Sequence, residues 1–194
     1  MRRIIIGISG ASGALYGIRA LEILKDDPDI ETHLILSNAG KLTLEIETPW
    51  KVRDVQALAS FSYSENEIGA VIASGSFQTA GMLIAPCSIK TLSAIANSYA
   101  DNLLIRAADV QLKEGRPVVL MVRETPLHPG HIRLMELAAA NGAVIFPPVP
   151  ALYSRPQSVD EIINATVGRA LSRLGIENPA YPRWDGDVSG GKND

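Results

Sequence analysis

Short aliphatic runs alternate with stretches of helical period along most of the chain, and this alternation limits the possible folds more than any other feature. Residues 3–8, 31–36, 82–85, 117–122 and 143–146 are each too short for a helix. They are rich in Ile, Val and Leu and bounded by Gly, Pro or Ser, as strands covered on both faces are. Between them, 14–25, 88–98, 102–114, 130–140 and 159–174 repeat their apolar residues at helical spacing. The last of these opens with Ser158 and carries Glu161 three residues on, a capping box. Strands alternating with crossover helices predict an α/β fold, a doubly wound parallel sheet in a three-layer sandwich of Rossmann or flavodoxin type. A chain of 194 residues supports one such core. A single domain over 1–184 is expected, with Trp184 its last anchored residue and a polar, Gly-rich tail over 185–194.

Composition removes several functional classes. A net charge of -3 and a pI near 5.6, without any block of Lys and Arg, argue against a nucleic-acid or anionic-membrane surface. Met1-Arg2-Arg3 and the following isoleucines imitate a signal peptide, but Gly7, Ser9 and Gly10 end the apolar run too early, and no later run is long enough to cross a bilayer. Cys87 is the one cysteine, which excludes an internal disulfide and makes a reducing compartment, the cytoplasm, the expectation.

The first strand runs directly into Gly7-Ile8-Ser9-Gly10-Ala11-Ser12-Gly13-Ala14 and then a helix. Free N–H groups at such a junction can hold a phosphate, and the hydroxyls of Ser9 and Ser12 add to the expectation of a ligand. The spacing is not that of a dinucleotide fingerprint: Ile8 replaces its first glycine, and the second strand ends at Ser37 where that motif needs an acid. NAD is therefore disfavoured. Ser37 and Asn38 suit a flavin or sugar hydroxyl, while a strand-ending serine also serves as a plain helix cap.

The third strand leads into Ala85-Pro86-Cys87-Ser88-Ile89-Lys90-Thr91, again at the edge where open α/β sheets bind ligands. Standing alone, this segment reads as a capped helix with a solvated lysine. Cys87 has no local histidine to activate it and reads as a small buried thiol. Arg123-Glu124 ends the next strand and places a carboxylate beside a cation at the same edge, an arrangement suited to proton transfer. His128 and His131 lack a third ligand, and Pro28 makes Asp26-Asp27-Pro28-Asp29 a solvated turn, so no metal site is expected.

Taken together, Gly10-Ala11-Ser12-Gly13, Ala73-Ser74-Gly75-Ser76, Pro86-Cys87-Ser88, Arg106-Ala107-Ala108-Asp109-Val110, Lys113-Glu114, Arg123-Glu124-Thr125-Pro126 and Tyr153-x-Arg155-Pro156-Gln157-Ser158 resemble the UbiX-type flavin prenyltransferases, in order and spacing, from about residue 3 to 184. The resemblance implies transfer of a dimethylallyl group from dimethylallyl monophosphate to N5 and C6 of reduced FMN. The product, prenylated FMN, would serve a UbiD-type decarboxylase in ubiquinone synthesis or aromatic-acid breakdown. By the same resemblance Gly10, Ala11, Ser12, Ser37, Ser88, Ile89, Lys90, Thr91 and Arg123 bind FMN, and Tyr153 and Arg169 bind the prenyl phosphate. Ser74, Arg106, Lys113 and Glu124 complete the site, some of them supplied by a neighbouring copy in a homododecamer. Ser12 would act beside flavin N5 and Glu124 would accept the released proton. The four cations Arg106, Lys113, Arg123 and Arg169 can hold the departing phosphate without magnesium. Some family members carry an aromatic residue just before the Ser-Gly-Ser loop, whereas here that stretch is Glu67-Ile68-Gly69-Ala70-Val71-Ile72. The alternatives are an FMN-dependent cysteine decarboxylase, whose Pro-x-Met-Asn signature is replaced by Arg123-Glu124-Thr125-Pro126, and a flavin-storage protein.

Overall fold

A computed structural model describes residues 1–179 and 181; Trp184 and the 185–194 tail lie outside them. Strands β1 (Arg2–Ile8), β2 (Ile30–Leu36), β3 (Phe61–Ser64), β4 (Gly81–Cys87), β5 (Val118–Val122) and β6 (Val144–Ile145) form one sheet in the order β3-β2-β1-β4-β5-β6, all neighbours parallel. Helices α1 (Ala14–Lys25), α2 (Asn38–Glu47), α3 (Val52–Gln56), α4 (Ile89–Ala96), α5 (Leu103–Lys113), α6 (Pro129–Ala140) and α7 (Val159–Ser172) connect and cover it. The doubly wound expectation holds, with the order reversing between β1 and β4.

Side-chain alternation along β1 shows why the sandwich has three layers. Ile4, Ile6 and Ile8 face a core shared with α1 and α7, while Ile5 faces one built with α4 and α5; all four are fully buried. Burial on both faces is what made these runs continuously apolar. At about 1.5–3 kcal/mol for each such side chain, β1 is the hydrophobic spine of the molecule.

Three elements were absent from the sequence reading, each for a physical reason. In α2, Leu42, Leu44 and Ile46 recur at spacing two, which disguises a helix; only Leu44 is buried, while Leu42 and Ile46 are 63% and 74% exposed. Helix α3 spans a single turn and buries only Val55. Strand β3 is a short edge strand of mixed polarity, Phe-Ser-Tyr-Ser, with no fully buried residue. It is held by buried His33 of β2, whose Nδ1 lies 3.1 Å from the Tyr63 hydroxyl and whose Nε2 lies 3.0 Å from Glu31 Oε1. Burial pulls the His33 pKa below its ordinary value against the opposing pull of Glu31.

The capping box expected at Ser158 forms with one change of partner, and Asn102 is a further cap. Asn102 accepts from the Ile105 N–H and Ser158 from the Glu161 N–H, but the Glu161 carboxylate reaches back to the Gln157 N–H at 2.7 Å. Among the described residues no helix is long and apolar enough to cross a membrane.

Candidate active site

Three loops meet at the carboxyl edge of the sheet where the strand order reverses, following β1, β2 and β4. Their approach depends on two glycines. A Cβ on Gly10 would lie 2.4 Å from Ala39 Cβ, and one on Gly40 would lie 2.5 Å from the Ile8 carbonyl oxygen, so a side chain at either position would push α2 away from the β1 loop. The carbonyl of Ile8 accepts from the Ser37 N–H at 3.1 Å, which closes the same junction.

Ser37 and Ser88 both act as helix caps. Ser37 Oγ accepts from the Gly40 N–H at 2.9 Å, and Ser88 Oγ accepts from the Thr91 N–H at 3.3 Å while lying 3.1 Å from Thr91 Oγ1. Capping uses an acceptor lone pair of each hydroxyl, so the cap and ligand readings are compatible. Thr91 is buried; Lys90 is exposed and faces Asp101, 3.6 Å away. Cys87 is completely buried, and burial pushes its thiol pKa up, in keeping with a packed thiol rather than a reactive one.

The N–H groups at the start of α1, expected to hold a phosphate, already carry a carboxylate. Glu47, the last residue of α2, already accepts from the Gly13 N–H at 2.8 Å and the Ala14 N–H at 3.4 Å, and from the Ser12 side chain. Burial would raise the Glu47 pKa, but those three donors and the nearby Arg123 charge outweigh it and hold the carboxyl below its ordinary range. The start of α2 is likewise engaged, by Glu65 on the Asn38 N–H at 3.0 Å. At the start of α4 the described residues put a serine cap and no carboxylate on the backbone, so the Ser88–Thr91 junction keeps N–H groups that an anion can use.

Ser12, Glu47, Tyr16 and Arg123 thus form one cluster, the Arg123 charge acting on both Glu47 and Tyr16. Sequence reading named Ser12 and Arg123 but not Glu47, because α2 was not recognised as a helix and no local motif marks its last residue. Ser9, counted there with the ligand-facing hydroxyls, is instead buried and bonded within the protein. Glu124 is exposed at the same edge, its Oε1 accepting from the Thr125 N–H at 3.1 Å.

Tyr153 and Arg169 do come together. They line a cavity of about 170 Å³ with Phe146, Val149, Ala165 and Tyr181. Tyr153 is hydrogen-bonded to Tyr181, over whose ring the Arg169 guanidinium sits, 5.3 Å from the centroid. Burial and the Tyr181 contact raise the Tyr153 pKa, with Arg169 opposing them. Tyr181 is a further contributor that no sequence motif marks.

Ser74, Arg106 and Lys113 form a separate group. Arg106 Nε donates to the Ala73 carbonyl at 3.3 Å, and a Cβ on Gly75 would strike the paired Lys113 and Glu114 side chains. Lys113 ends α5 just before the chain turns into β5, whereas Arg123 follows the last residue of β5. The two therefore sit at opposite edges of the sheet, separated by roughly 15 Å of strand. A single chain does not unite all four predicted cations. A larger groove of about 770 Å³ between α4 and α6 is lined by Ile89, Lys90, His128, His131 and Leu137 and contains none of the predicted acid–base residues.

Comparison with known proteins identifies the family. Residues 1–171 match the Flavoprotein family model. The chain is 60% identical over 188 residues to the flavin prenyltransferase UbiX of Escherichia coli K12, covering 96% of this chain and 100% of that protein. A dodecameric FMN-dependent UbiX-like decarboxylase from E. coli O157:H7 superposes with a TM-score of 0.92 at 47% identity, over 95% of this chain and 100% of the other. AnUbiX (PadA1), solved with FMN and dimethylallyl pyrophosphate, gives the same TM-score at 43% identity, over 95% and 98% of the two chains. With a doubly wound sheet, a serine-capped loop cluster at its switch point and full-length identity well above what fold alone would leave, the chain belongs to the UbiX family of flavin prenyltransferases.

Proposed function

We propose that the protein transfers a dimethylallyl group from dimethylallyl monophosphate to N5 and C6 of reduced FMN, giving prenylated FMN for a UbiD-type decarboxylase in the cytoplasm. The observation that carries this reading is the presence of two unlike subsites. One is a broad loop cluster at the sheet's switch point with Ser12, Glu47 and Arg123; the other is a small, largely apolar cavity closed by Tyr153 and Arg169. A flavin store needs only the first. FMN fits the loop cluster because Gly10 and Gly40 bring three loops within reach of one ligand and the start of α4 can take its phosphate.

Bound there, FMN supplies the nucleophilic N5 and C6. The chain's own residues hold the donor and manage charge. Tyr153 and Arg169 grip the phosphate, so that the ester C–O bond breaks toward fixed donors rather than toward water. Glu124, exposed at the same edge, is the carboxylate able to accept the proton released as N5 and C6 are alkylated, while Glu47, held low by its three donors, orients Ser12. Ser74, Arg106 and Lys113 act from a neighbouring copy. Leu42 and Ile46 beside the flavin cluster, and Ile68 and Val71 ahead of Ser74, are exposed apolar side chains of the kind that subunit contacts cover.

The two subsites should separate on mutation. Arg169→Ala is expected to raise the KM for the prenyl phosphate by about 100-fold, the loss of one charge-assisted phosphate contact, with the FMN Kd changed less than about threefold. Kinetics for the donor and fluorescence titration for the flavin measure both. Equal losses would refute the assignment of this cavity to the donor.

A further inference from the structure

Ser9 has one of the most completely used side chains in the molecule, and none of its bonds is to a residue of its own loop. It is 1% exposed. Its hydroxyl donates to the Pro86 carbonyl at 2.8 Å and accepts from the Ser88 N–H at 2.8 Å, while its backbone N–H donates to the same Pro86 carbonyl at 3.2 Å. These bonds span the switch point: Ser9 immediately precedes Gly10-Ala11-Ser12, and Ser88 opens α4. The ladder between β4 and β5 is irregular between Ile84 and Cys87, the stretch containing Pro86, which has no N–H to contribute. On the opposite side of β4, where β1 runs, the Pro86 carbonyl and the Ser88 N–H are both met by Ser9.

We infer that Ser9 is a positioning residue for the flavin: without touching the ligand, it sets the separation of the Gly10–Ser12 loop from the Ser88–Thr91 helix start, and so the width of the slot that FMN enters. The inference rests on the flavin site described above. Alanine at position 9 would leave the Ser88 N–H without its acceptor, while the Pro86 carbonyl would keep the backbone N–H of residue 9. The damage is therefore confined to the clasp between loops. Threonine keeps the hydroxyl and its donor-plus-acceptor capacity.

The test is FMN titration of the wild type, Ser9→Ala and Ser9→Thr, with amide hydrogen exchange at Ser88 and the thermal midpoint recorded on the same samples. The expected result is a Kd for FMN about tenfold higher or more in Ser9→Ala, equivalent to one lost buried hydrogen bond. Faster exchange at Ser88, an unchanged KM for dimethylallyl monophosphate at saturating FMN, and recovery in Ser9→Thr should accompany it. FMN affinity in Ser9→Ala within twofold of wild type would overturn the inference, as would weakening that tracks a general fall in thermal midpoint in both variants. Failure of the wild type itself to bind FMN would count against the flavin site, a separate outcome.

Discussion

Arg123→Ala and Lys113→Ala are each expected to lower prenyl transfer by about 1,000-fold, the scale of removing a fixed charge from a developing leaving group. Co-expression of the two variants should restore part of it. Arg123 follows β5 at the carboxyl edge of the sheet and Lys113 precedes it at the amino edge, so in one copy they cannot act on the same phosphate. If a site takes Arg123 from one copy and Lys113 from the next, random mixing leaves roughly a quarter of the sites intact. Activity of mixed assemblies, measured against each variant alone, checks this. Mixed assemblies no more active than their parents would mean that Lys113 serves no neighbouring site.

The second large effect is on stability. Gly17 lies in α1 where the helix crosses the ends of β1 and β4, and a Cβ there would stand 2.3 Å from the Ala85 carbonyl oxygen and 2.6 Å from Ile8 Cγ1. Alanine in a helix interior gains about 1 kcal/mol over glycine from backbone entropy. Overpacking costs about 1–3 kcal/mol or more, and here the obstacle includes backbone that cannot rotate away. Cost should win, and Gly17→Val, with two further methyl groups, should lose about 3 kcal/mol or more. Denaturant unfolding monitored by circular dichroism measures the difference. A Gly17→Val variant as stable as wild type would show that α1 can lift from the sheet freely.

Legibility in the sequence followed burial. Residues 3–8 and 117–122 announced themselves because a central strand buried on both faces must be apolar throughout, and every residue of β5 is buried. Helix α2 stayed hidden because its exposed Leu42 and Ile46 broke the relation between apolar character and core, and with it went Glu47. The two carboxylates illustrate the difference: Glu124 is named by the segment it sits in, whereas Glu47 reaches Ser12 only through the tertiary contact of α2 with the β1 loop. Ser9 shows the converse. Its place in a Gly-Ser loop suggested a ligand contact, but a hydroxyl's partners depend on which loop lies across from it, and here that is the β4 turn.

FMN is in this reaction a substrate, alkylated at N5 and C6, rather than a resident redox group. The most direct measurement is anaerobic incubation of the purified protein with reduced FMN and dimethylallyl monophosphate, followed by mass spectrometry of the extracted flavin. A flavin heavier by one C5 unit, formed with the wild type and at a much lower rate with Arg169→Ala, is the predicted result. Recovery of only unmodified FMN from a wild-type protein that has bound both ligands would contradict it.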